Sequence, residues 1–204
     1  MRVRLVKINR HPDGRQEIQQ MTVQILLEGD NMEDSFTHGN NKNIVPTDTC
    51  KNTVYCVASK HDFKSIEEFG IILTKHFLST YPAIVNKVSI TITRDIWERL
   101  TVPDSRGKLA EHKHAFKRLG PQKPYTVVVG EQRPLSPLSL QVTSGFKSLE
   151  ILKTTQSGFV DFHKCPYTSL PEVTDRLVGT SADAEWTYSP SVVMQGKIDY
   201  NKVC

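Results

Sequence analysis

Apolar and polar residues alternate through Val3-Arg4-Leu5-Val6-Lys7-Ile8 and again through Met21-Thr22-Val23-Gln24-Ile25-Leu26-Leu27. A period of two predicts strands with one buried face. Between the two runs, His11-Pro12-Asp13-Gly14 carries Pro and Gly at turn positions, so the pair predicts a hairpin. Residues 29–43 are polar and rich in Gly and Asn and predict a loop. The period then lengthens. Cys50, Val54 and Val57 recur at helical spacing behind Thr47 and Asp48, either of which can cap a helix, although the β-branched content leaves a strand open as the alternative. Ser65-Ile66-Glu67-Glu68 has the form of a capping box, Ile66, Phe69, Leu73 and Phe77 follow at spacings of three and four, and Pro82 stops the pattern. Val88-Ser89-Ile90-Thr91-Ile92-Thr93 alternates again, with a partner expected around His114-Ala115-Phe116.

The first 119 residues thus spell β-β-α-α-β-β, which predicts an α+β unit: one antiparallel sheet with two helices on one face. Gly120-Pro121-Gln122-Lys123-Pro124 reads as a linker. Beyond it, strands are expected at 125–129 and 149–153, a helix near Leu170-Pro171-Glu172-Val173, and a further alternating stretch at 182–188. Residues 189–204 are polar and unpatterned. The expected organisation is a full unit over 1–119, a partial second unit over 120–188 and a divergent tail over 189–204.

Composition narrows the function. In 204 residues, 38% are apolar and 24% charged, enough for a core and unlike a disordered chain. The net charge of +4 comes from Lys and Arg scattered among acids, so no nucleic-acid groove is expected. No apolar run reaches the roughly 18 residues of a membrane span, and no signal peptide opens the chain. Cys50, Cys56, Cys165 and Cys204 form no C-x-x-C pair, which suggests free thiols in a reducing compartment. His112 and His114 would share a strand face, but the spacing supplies no further metal ligands. The dinucleotide, phosphate-loop and nucleophile-elbow patterns are absent.

The stretch Leu149-Glu150-Ile151-Leu152-Lys153-Thr154-Thr155-Gln156-Ser157-Gly158-Phe159, running on to Phe162, Tyr167, Leu170 and Arg176, resembles the signature of the urate oxidase (uricase) family. Ile44-Val45-Pro46-Thr47-Asp48-Thr49-Cys50-Lys51-Asn52-Thr53-Val54-Tyr55 is similar to the family's T-D-x-x-K-N-T segment, and Ser65-Ile66-Glu67-Glu68-Phe69-Gly70 and His112-Lys113-His114-Ala115-Phe116 resemble its helix and strand. The resemblance covers residues 2 to about 188. It implies the tunnelling fold (T-fold), a β-β-α-α-β-β unit repeated twice per chain, with four chains forming a barrel and active sites at subunit interfaces. It also implies oxidation of urate by dioxygen and water to 5-hydroxyisourate and hydrogen peroxide, with no metal and no organic cofactor.

By resemblance, Arg176 clamps the urate anion, a task suited to parallel guanidinium donors; otherwise it is a surface arginine. Phe159 stacks on the purine plane or, failing that, packs in a core. The Thr47 hydroxyl belongs to a proton relay near dioxygen, and the Asp48 backbone amide contacts the purine; both residues could instead serve only as a helix cap. Leu170 lines the same pocket or packs in an apolar cluster. Thr47 and Asp48 would serve the Phe159 and Arg176 of a different chain. The family's Lys in a Tyr-Gly-Lys segment, and its later Gln, Asn and His, have no counterpart here, and Lys7 does not match that motif. Weak or absent turnover by this chain alone is therefore expected, and an inactive T-fold protein that binds a purine or a partner subunit is the competing reading. The resemblance implies a peroxisomal location; the chain ends Lys202-Val203-Cys204 rather than in a Ser-Lys-Leu type tripeptide, which leaves the cytoplasm as the alternative.

Overall fold

Nine residues of alternating burial form β1 (Arg2–Arg10), which pairs antiparallel with β2 (Gln16–Glu28), Leu5 facing Met21. Val3, Leu5, Met21, Val23 and Ile25 are buried on one face. The connecting turn places Gly14 at φ 82°, a conformation that glycine adopts without steric cost. This computed structural model describes residues 1–196 and 198–202. The expected loop at 29–43 contains a short helix, α1 (Glu33–Thr37).

Two longer helices follow, α2 (Thr47–Lys60) and α3 (Ile66–Thr80). Phe69, Leu73 and Phe77 of α3 are fully buried, as the three-four spacing requires. Ser65 caps α3 by accepting a hydrogen bond from the Glu68 amide at 3.2 Å, and the Glu68 carboxylate reaches back to the Lys64 amide at 2.8 Å. At the other end of α2, the Lys7 ammonium donates to the carbonyls of Ala58 (3.0 Å) and His61 (2.7 Å), where the helix dipole favours a cation. That is a concrete structural role for a lysine inside β1.

The remaining strands are β3 (Lys87–Asp95), β4 (Trp97–Pro103), β5 (Leu109–Arg118), β6 (Lys123–Glu131), β7 (Ser139–Lys153) and β8 (Val178–Thr187). A six-stranded sheet runs β1-β2-β3-β6-β7-β8, all neighbours antiparallel, and β4-β5 form a separate ribbon. Helix α3 lies across β3, β6 and β7 and α2 against β1, so the helices share one face of the sheet. This is the α+β arrangement expected.

Several details differ from expectation. The strand around His114-Ala115-Phe116 pairs with β4, not with β3, because the chain bends after Asp95 and continues as a second arm, Trp97 facing Arg118. The 120–124 segment is not a linker: Lys123 and Pro124 open β6, and Tyr125 pairs with Thr93 of β3. Strand β7 begins ten residues before the predicted 149–153 stretch. A register shift between Phe146 and Leu149, with Ser148 at φ 58°, breaks its periodicity. No helix forms near Leu170; Pro171 disfavours helical backbone in the residue before it, and Val173 is drawn into a bridge instead. The tail carries a short helix, α4 (Pro190–Gln195), whose Val193 is buried beside Val128, Leu140, Val142 and Tyr188, and a 3₁₀ turn at Tyr200–Lys202. Cys50 is buried, and Cys56 and Cys165 are exposed, all as free thiols; Cys204 lies outside the described residues.

Candidate functional site

Strands β7 and β8 hold the two ends of an irregular excursion, residues 154–177, with Lys153 facing Val178 at its base. Its backbone is tied by a two-residue bridge. The Phe159 amide donates to the Val173 carbonyl at 2.7 Å, and the Val173 amide returns a bond to Phe159 at 3.2 Å. Gly158 permits this approach, since a Cβ there would meet the Thr174 carbonyl oxygen at 3.0 Å. Asp175 secures the far side: its carboxylate accepts from the Thr155 hydroxyl at 3.0 Å and from the Gln156 amide at 2.6 Å. Lys164 and Glu172 close the lobe with an ion pair at 2.7 Å.

These ties bring Phe159 and Arg176 together. The Arg176 guanidinium carbon stands 5.7 Å from the centroid of the Phe159 ring, within cation–π range. Phe162 lies parallel to Phe159, centroids 4.6 Å apart and planes within 7°, and this stacking fixes the ring's orientation. Phe159 nevertheless remains 43% exposed, and Leu170 48% exposed. Neither is a core residue. The partly exposed aromatic ring and a guanidinium with no ion pair or hydrogen bond among the described residues thus lie together at the surface, an arrangement that can receive a flat anion.

Thr47 and Asp48 are elsewhere. They are the first two residues of α2, but neither caps it: Pro46 occupies the N-cap position without a side-chain bond, and the first helical bond runs from the Cys50 amide to Pro46. The expectation of a Thr47 or Asp48 cap is corrected accordingly; the extended backbone of Pro46 opens the helix one residue earlier. Both side chains are exposed. The Asp48 carboxylate accepts from Lys51 at 2.7 Å and Asn52 at 2.9 Å, and the Lys51 contact holds its pKa below the usual carboxylate range. Its side chain is thus turned along the helix. Helix α2 sits on β1, whereas the Phe159–Arg176 pair extends from β7 and β8 at the opposite sheet edge. Five strand spacings of about 4.8 Å separate those edges by about 24 Å. One chain does not bring the two pairs into one pocket.

Sequence reasoning assigned no role to Phe162 or Asp175. Phe162 stood within the quoted signature; Asp175 makes bonds to residues 19 and 20 positions away, which no local pattern announces. Among the described residues, no group of three or more His, Cys, Asp or Glu converges as a metal site, and no helix is long and apolar enough to cross a membrane. His112 and His114 meet edge to face, centroids 4.6 Å apart.

The uricase family profile matches residues 1–129 and 142–203. The chain belongs to the uricase family. It is 40% identical to the uricase of Dictyostelium discoideum over 202 residues, covering 99% of this chain and 65% of that protein. It is also 40% identical to uricase-2 isozyme 1 of Glycine max over 189 residues, covering 92% and 57%. The crystal structure of the Arthrobacter globiformis uricase overlays with a TM-score of 0.70 at 32% identity, covering 98% of this chain and 61% of that one. The chain therefore spans 57–65% of the length of these curated relatives. The α+β architecture, antiparallel sheet with helices on one face, is that of the uricase structures it overlays.

Proposed function

We propose that this chain takes part in urate oxidation, supplying Phe159 and Arg176 as the urate-gripping surface and Thr47 and Asp48 to the site of a neighbouring copy. The observation that carries the reading is the placement of the Arg176 guanidinium 5.7 Å from the exposed Phe159 ring in a chain of this family. Urate laid on the ring places its oxygen-rich edge within reach of the guanidinium donors. The Asp48 amide at the open end of α2 offers a further donor to the purine, and the helix terminus favours an anion. The Thr47 hydroxyl relays a proton near dioxygen, and Leu170 limits water access. Overall, urate, dioxygen and water give 5-hydroxyisourate and hydrogen peroxide, without metal or organic cofactor.

The placement of the two half-sites at opposite edges of the sheet supports a homo-oligomer, a tetramer in the family pattern, with sites between chains. The T-fold division into units 1–119 and 120–188 and a tail 189–204 is likewise a proposal; the pairing of β3 with β6 favours moving its first boundary to the 132–138 loop. A peroxisomal location is proposed from family resemblance, with the cytoplasm as the alternative.

The separation also favours a second reading, in which an isolated chain binds urate but does not oxidise it. Both are tested by mixing the purified chain with urate, first without oxygen to measure binding and then in air to follow urate absorbance and peroxide. Turnover in an oligomer supports the first reading, and binding without turnover the second. No binding at all refutes both.

A further inference from the structure

A different cavity lies at the end of the core face, between the start of α3 and the sheet. It has a volume of about 300 Å³, at the small end of the range for small-molecule pockets. Ser144 and Trp186 line it from one continuous rung of the sheet, in which Ile92 faces Thr126, Thr126 faces Ser144, and Ser144 faces Trp186. The middle of that rung is polar where the next rung into the core, Ile90, Val128 and Val142, is apolar. Against it lies Glu67, only 8% exposed. The Ser144 hydroxyl donates to the Glu67 carboxylate at 2.6 Å and sits 3.1 Å from the Thr126 hydroxyl, which in turn donates to the Thr143 carbonyl at 3.1 Å. Among the described residues, no cation pairs with this carboxylate. Its place in the first turn of α3 offsets part of the cost of burying the charge, and one hydroxyl leaves acceptor capacity unused.

The opposite charge lines the same cavity. Arg94 follows Ile90 and Ile92 on the core face of β3, is half-buried, and has no ion-pair or hydrogen-bond partner among the described residues. The walls are aromatic, from Phe146, Trp186 and Tyr200. Burial and the nearby Glu67 charge push the Tyr200 phenol up to about 12, so it stays a neutral hydrogen-bonding group. A buried carboxylate and an unpaired guanidinium in one aromatic-walled cavity, too far apart to pair with each other, call for a guest with a donor at one end and an acceptor at the other. A metal ion would meet the Arg94 charge and a free anion the Glu67 charge.

We propose that this cavity is a second ligand site, independent of the Phe159–Arg176 surface, for a small flat heterocycle bearing an N–H beside a carbonyl. Glu67 accepts from the N–H, Arg94 donates to the carbonyl oxygen, and the rings of Phe146 and Trp186, which meet edge to face with centroids 6.2 Å apart, form one apolar wall for the heterocycle.

Uracil is the probe, and the indole N–H resonances of the two tryptophans are the readout. Trp186, which donates to the Tyr188 hydroxyl at 2.9 Å, lines the cavity; Trp97 is engaged with Gln20 at 3.0 Å and does not. Titration is expected to shift the Trp186 resonance saturably with a Kd of about 1 mM or tighter, leaving Trp97 unmoved. Arg94→Met is expected to weaken binding about tenfold or more, with Glu67→Gln acting in the same direction. 1,3-Dimethyluracil, which lacks the N–H groups, is expected not to bind, and Phe159→Ala to leave uracil binding unchanged. No saturable shift, equal binding by Arg94→Met or by the dimethyl compound, or loss of binding in Phe159→Ala overturns the proposal. If Glu67→Gln fails to fold, the Arg94 variant and the dimethyl probe still decide it.

Discussion

Arg176 and Phe159 are seventeen positions apart, and the Phe159–Val173 bridge and the Asp175 bonds bring them together. The guanidinium offers charged, paired donors, and a charged hydrogen bond contributes about 1.5–3 kcal/mol. Arg176→Gln is therefore expected to weaken urate binding roughly 10- to 150-fold, measured at equilibrium without oxygen; an unchanged Kd would remove the clamp from the mechanism. Cys165 in the same excursion offers a pH-dependent test. Thr168 donates to its sulfur at 3.5 Å and lowers the thiol pKa. A lowered pKa means that thiolate persists to lower pH, so Thr168→Val is expected to move the midpoint of Cys165 alkylation to higher pH. Mass spectrometry across a pH series reads that midpoint directly.

At the scale of elements, the fit of α3 to the sheet decides stability. Two glycines let helix and strand approach. A Cβ at Gly70 would lie 2.7 Å from Val128, and one at Gly130 would lie 2.3 Å from Thr74. Glycine to alanine in an open helix gains about 1 kcal/mol. Here overpacking costs about 1–3 kcal/mol, so Gly70→Ala and Gly130→Ala are expected to destabilise the fold. Ser65→Ala, which removes the α3 cap, is expected to cost about 1 kcal/mol. Urea unfolding midpoints distinguish these outcomes, and a stabilised Gly70→Ala would show that the helix does not sit against β6 as described.

For the whole molecule, the decisive feature is the distance between half-sites, the α2 terminus at the β1 edge and the Phe159–Arg176 pair at the β8 edge. If sites form between copies, two different defective chains complement each other. Thr47→Ala and Arg176→Gln chains, each impaired alone, are expected to regain urate binding or turnover when unfolded and refolded together, because some mixed interfaces carry both intact halves. Mixtures no better than either parent would place each site within a single chain.

The alternation of β1, β2 and β3 and the three-four spacing of α3 were legible in the sequence because those elements bury one face against one core, and burial imposes a local period. The proximity of Phe159 and Arg176 was expected on another ground, the resemblance of the 149–176 stretch to a family signature. Pairing was not legible. That β5 joins β4, that β6 continues the sheet beyond β3, and that Val173 bridges Phe159 instead of opening a helix all depend on contacts between distant residues. The same holds for the carboxylate of Glu67 under Ser144, 77 positions away. Local preference orders the chain into segments; only the competition among segments for a shared sheet and core decides which of them meet.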